Sequence, residues 1–135
     1  MLKILGCCLA VSLLAGCMGV PIDATTAPRA AQNYYLDPQV SESGPGKGLV
    51  RVARDKGGWG KYQPALIYVD GRHVANVLEN TVLELNLPVG PHKVGLQMVD
   101  RAHPIDYLDV QVKDGQPVGL RAYVGATMTI FEPIK

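Results

Sequence analysis

Leucines fall at every second position between residues 81 and 87, as Leu83, Leu85 and Leu87, with Glu84 and Asn86 between them. A period of two puts one set of side chains on a buried face and the other in water, which describes a half-buried strand. The same alternation returns at Val94, Leu96 and Met98, at Leu108, Val110 and Val112, and at Val118, Leu120, Ala122 and Val124. No long stretch carries a helical period instead. Asp70-Gly71, between runs rich in Leu, Ile, Tyr and Val, is the strongest turn signal, because glycine adopts the positive φ of a tight hairpin without steric cost. Strands are therefore expected over 49–54, 65–69, 72–78, 81–87, 92–99, 107–113, 117–124 and 127–134. About eight short strands at this spacing predict an all-β chain, a small antiparallel β-sandwich or open barrel, in a single domain over residues 48–135.

The first residues follow a different rule. Lys3 precedes an apolar run from Ile4 to Ala15 that is too short for a membrane span, which needs about 20 residues. It ends in Leu14-Ala15-Gly16-Cys17, which resembles the lipobox of a bacterial lipoprotein signal. The resemblance implies removal of residues 1–16 by cleavage between Gly16 and Cys17. It also implies a diacylglyceryl group on the Cys17 sulfur and acylation of the new α-amine. A thiolate suits that attachment, being the strongest natural side-chain nucleophile near neutral pH. Each buried methylene contributes about 0.8 kcal/mol, so two or three chains hold the protein on its membrane. Met18 stands where an aspartate would retain such a protein at the inner membrane, so the expected location is the outer membrane, facing the periplasm.

Processing also changes the composition. Lys3 is the only charged residue among the first 16, and without it basic and acidic residues are equal in number. No basic excess argues for a nucleic-acid partner. Cys7 and Cys8 are lost with the signal and Cys17 is blocked, so disulfides are excluded and stability must come from an ordinary core. Residues 17–47, punctuated by Pro21, Pro28, Pro38 and Pro45, read as a flexible tether spanning roughly 30 Å. Asn33-Tyr34-Tyr35-Leu36 is its one apolar island, expected to dock on the domain as an extra strand or turn.

Within the domain, Val69-Asp70-Gly71 with Val74, the strand 81–87, and Leu87-Pro88-Val89-Gly90-Pro91-His92-Lys93-Val94 follow one another. This order resembles the PEGA-like, transthyretin-like small β-sandwich domains of bacterial envelope lipoproteins, over roughly residues 48–125. The resemblance implies a sandwich fold with Gly71 and Gly90 in turns and Val74 and Val94 in the core. It implies no activity, because the theme recurs on unrelated proteins.

No recognisable catalytic constellation emerges. Ser41 and Ser43 fall in the expected tether, no thiol remains free, and Asp70, Asp100 and Asp114 are explained as turn residues. His73 and His92 are expected on neighbouring strands with His103 in a loop, but zinc needs three or four converging ligands, so no metal and no cofactor are assigned. Gly57-Gly58-Trp59-Gly60, followed by Lys61 and Tyr62, is the candidate contact site, since an exposed indole can stack on a sugar ring or anchor a protein interface; the alternative is that Trp59 folds back to cap one end of the sandwich. Two functions are expected from this. The first is a non-enzymatic, lipid-anchored envelope protein that binds another protein or serves as an accessory component of an envelope assembly. The second is a carbohydrate or peptidoglycan module using Trp59 and Tyr62.

Overall fold

The computed structural model describes residues 19–58, 60, 62–100, 103–125 and 128–135. It contains eight strands: β1 (Lys47–Arg54), β2 (Ala65–Val69), β3 (Arg72–Val77), β4 (Thr81–Pro88), β5 (Gly90–Met98), β6 (Asp106–Val112), β7 (Val118–Val124) and β8 (Thr129–Pro133). The only helical elements among the described residues are two 3-10 turns, Gln32–Tyr34 and Pro38–Ser41. The strands form two four-stranded sheets, ordered β4-β1-β7-β8 and β3-β2-β5-β6, which makes the molecule the all-β sandwich its alternation predicts.

Between the sheets lie Val50 and Val52 of β1, Leu83, Leu85 and Leu87 of β4, Ile67, Val94, Leu96, Val112 and Leu120, all but inaccessible to solvent. The period-two residues thus face inward, and Glu84 and Asn86 face out. Every strand runs opposite to the one before it, so each connection returns at the end where it left. One pair departs from the antiparallel expectation: β1 and β7 are parallel, with Val52 opposite Leu120. Both strands are odd in the alternation, and β7 takes the free side of β1 because β4 already occupies the other.

The two ends of the sandwich differ. At one end, here the turn end, connections are tight. Asp70 (φ 49°) and Gly71 (φ 83°) join β2 to β3, and Val89 alone separates β4 from β5. Positive φ at both central positions matches the twist of the flanking strands, which is why Asp-Gly stands there. At the other, the loop end, lie the connections 55–64, 78–80, 99–105 and 125–128.

The segment expected as a free tether is instead part of the fold over its described residues. Val20 exchanges main-chain hydrogen bonds with Lys56 (2.8 and 2.9 Å). Farther along, Val82 of β4 donates to Pro28 and accepts from Ala30, and the Leu36 and Asp37 amides both donate to the carbonyl of Val74 on β3. β3 and β4 are the edge strands of their sheets on the same side of the sandwich, so this arm closes that side. Prolines are tolerated because the arm forms no continuous ladder: Pro28 is used only as an acceptor, and Pro38 opens a 3-10 turn whose Asp37 side chain caps the Gln39 amide at 3.0 Å. Among the described residues of the arm, Val40 is the one buried apolar side chain. The island at 33–36 docks as a turn followed by an isolated bridge from Tyr35 to Ala75, as its composition suggests.

Candidate functional site

The β1–β2 loop that carries the candidate contact residues is organised from beneath by Arg54, the last residue of β1. It continues the inward-facing series of Val50 and Val52, so its side chain points along the core toward the loop end, and only 1% of the residue is exposed. Its guanidinium donates to the carbonyls of Gln63 (2.6 Å), Val77 (3.0 Å) and Gly60 (3.2 Å). Burial pushes this guanidinium below its usual pKa, with the charge of Glu79 opposing. Glu79 also accepts the Gly57 amide at 2.6 Å, which pins the other foot of the loop. Gly58 lies so close to the Val124 carbonyl that a Cβ would collide with it and crowd the Tyr123 ring.

Above this base Tyr62 is 85% exposed. Trp59 lies outside the described residues, as do Gly16 and Cys17. The loop shares its end of the sandwich with exposed Val20 of the arm and with exposed Val99 and Met128, each from a different connection. Next to it, Asp55 is buried and accepts two hydrogen bonds on Oδ2 from Arg121, at 2.7 and 2.9 Å. The pair ties β1 to β7 on the outer face of the sheet, where Ala53, Val82 and Tyr123 are also buried. Gly19 of the arm packs directly on the Tyr123 ring, which leaves no room for a side chain.

The histidines do not converge. His73 and His92 are not on neighbouring strands, because β2 runs between β3 and β5. His73 stacks on Tyr68 with ring centroids 5.3 Å apart, and its Nε2 meets the Asn76 side-chain oxygen at 2.7 Å. His92 at the turn end bridges Asp70 (Nδ1 to Oδ2, 2.6 Å) and the Pro88 carbonyl (Nε2, 2.7 Å). The exposed His103 contributes its carbonyl to the Gln97 side chain at 2.9 Å. Among the described residues no three His, Cys, Asp or Glu side chains are placed to hold a metal ion.

A shallow groove of about 210 Å³ at the turn end is bordered by Asp37, Lys47, Asp70, Arg72 and His92. Asp37 holds Arg72 at 3.2 Å, Lys47 donates to the Gln39 and Glu42 carbonyls, and Asp70 accepts the Lys93 amide at 2.9 Å besides binding His92. These charges fasten arm, hairpin and β5 together. Sequence reasoning missed Arg54 and the arm contacts outside the 33–36 island. A lone arginine at the buried phase of a strand is the signal that could have marked the former.

The remaining edges face the other side of the molecule. β6 pairs only with β5 and β8 only with β7 among the described residues, and the two lie side by side. β6 is the longer, and Tyr107, opposite Gly95, lays its ring over that glycine. Asp106 and Asp109 keep the edge charged, the latter paired with Lys93 at 2.8 Å. Comparisons with protein-family models, curated proteins and solved structures return no match for this chain.

Proposed function

We propose that this chain is a non-enzymatic envelope lipoprotein, held in the outer membrane by lipid on Cys17 and facing the periplasm. In this reading its PEGA-like β-sandwich binds another protein of an envelope assembly. The observation that carries the reading is the asymmetry of the edges. The arm occupies β3 and β4, whereas among the described residues the outer edges of β6 and β8 have no strand partner. An exposed strand edge can accept a strand from a partner, with main-chain hydrogen bonds giving affinity and alternate side chains giving specificity. β6 is the better acceptor, because it is seven residues long and free of proline, while β8 has five and ends in Pro133. Its aspartates disfavour pairing with a second copy of the same strand. The groups lining the turn-end groove are engaged with one another, which favours a structural role for them over catalysis.

Photo-crosslinking in intact cells tests this. A crosslinker in place of Gln111 on β6 should capture one discrete envelope protein, and one in place of Thr26 on the arm should not. Absence of any adduct from Gln111, or equal capture from both positions, would contradict the reading.

A second reading, peptidoglycan binding through Trp59 and Tyr62, is favoured by the exposure of Tyr62 on a loop braced by Arg54. Retention of the purified protein on isolated sacculi, lost in Tyr62→Ala, would support it over the first.

A further inference from the structure

We infer that the loop end of the sandwich lies against the phospholipid bilayer that carries the anchor, so that the domain stands on the membrane in one fixed orientation. The inference rests on the proposed lipidation of Cys17 and deepens it. Gly19 packs on Tyr123, and Val20 is paired with Lys56, at the foot of the loop end. Only Met18 separates Gly19 from Cys17. Two Cα–Cα steps span at most about 7.6 Å. The docked arm therefore removes the slack of a tether, and Cys17, which would carry the lipid, lies within that distance of Gly19 at the foot of the loop end.

The surface placed there suits a bilayer. Val20 (61% exposed), Tyr62 (85%), Val99 (37%) and Met128 (57%) come from four separate segments, so the end presents apolar groups across its width. Exposed Lys56 sits beside Val20. Tryptophan, tyrosine and basic residues are the types enriched at membrane–water interfaces. Apolar groups on such a surface enter the boundary between headgroups and acyl chains by about 5–10 Å. The strands then stand away from the membrane, leaving the β6 and β8 edges accessible from the periplasm. Such an orientation also keeps Tyr62 from a sacculus, so apposition and the second reading above exclude each other.

The processed protein, with Cys17 blocked, accepts a unique new thiol. Met128→Cys at the loop end and Val89→Cys at the turn end, both at exposed positions, are each labelled with an environment-sensitive fluorophore. The full lipoprotein is then placed in phosphatidylethanolamine–phosphatidylglycerol vesicles containing a headgroup-nitroxide lipid. The Met128→Cys probe should be quenched by the nitroxide severalfold more than the Val89→Cys probe, and by aqueous iodide severalfold less. Equal quenching at the two sites would overturn the orientation, as would protection of the Met128→Cys probe from both quenchers, which would mean that a second copy covers that end. The mass of the N-terminal peptide separates the two levels of failure. A Cys17 without acyl chains sinks the lipoprotein reading and the orientation with it, whereas an acylated Cys17 with equal quenching sinks the orientation alone.

Discussion

At the residue scale, a few polar side chains fix what apolar burial leaves undetermined. Arg54 is the clearest, since its guanidinium serves three carbonyls from the β1–β2 loop and β3 at once. Hydrogen bonds from a charged donor each contribute about 1.5–3 kcal/mol, offset by the cost of burying the charge. Arg54→Met should lower stability by about 2–4 kcal/mol, read as a shift of the urea midpoint with an unchanged slope. Arg54→Lys should recover little of this, because an ammonium cannot reproduce the planar fork. Asp70 is the complementary case. Burial pushes its carboxyl up, but the Lys93 amide and His92 outweigh burial and hold it below the ordinary carboxylate value. A depressed value contributes stability above the unfolded-state pKa, and that stability is lost as pH falls through the folded one. Half of the side chain is exposed, so the contribution is screened to about 0.2–1 kcal/mol. Asn tolerates the positive φ at this position, and Asp70→Asn should therefore lower the urea midpoint at pH 7, with the difference shrinking toward pH 3.

At the element scale, the eight strands and their hairpins were legible because their signal is local. Period-two alternation at 81–87 and Asp-Gly at 70–71 act over a few residues, and both elements form where expected. The parallel pairing of β1 with β7 was not legible, because it depends on which side of β1 the chain leaves free after β4 has paired. Outside its 33–36 island, the arm was hidden by composition. Its prolines and small polar residues have the look of a linker, and its contacts are single hydrogen bonds at separated points. Tyr35 illustrates this. Its hydroxyl donates to the Glu84 carbonyl (2.8 Å) and accepts the Glu84 amide (3.2 Å), standing in for a ladder residue on the β4 edge. A bulge in β3 gives the arm its second hold. Tyr68 pairs with His73 and Ile67 with Ala75, which leaves Val74 as the extra residue whose carbonyl receives two arm amides. Tyr35→Phe should cost about 1–2 kcal/mol and speed exchange of the Glu84 amide, measured by denaturation and by hydrogen exchange.

At the scale of the whole molecule, the arm changes what the sandwich is. Without it the domain would hang on a chain of roughly 30 Å with four exposed edges. With it, one side is closed, the other is open at β6 and β8 among the described residues, and the chain reaches the loop end within two residues of Cys17. The candidate contact loop was legible as a glycine-rich segment, but its place beside Val20 was not, because that depends on the docked arm. Docking of the arm is thus the claim on which the open edges and the orientation both depend. Native-state hydrogen exchange tests it at the amides of Val20, Ala30 and Leu36, which donate to Lys56, Val82 and Val74. All three should exchange at least about a hundredfold more slowly than in an unstructured peptide. Exchange of Ala30 and Leu36 at the peptide rate, while the β1 and β5 amides stay protected, would return residues 19–46 to a free tether and contradict the closed side of the sandwich.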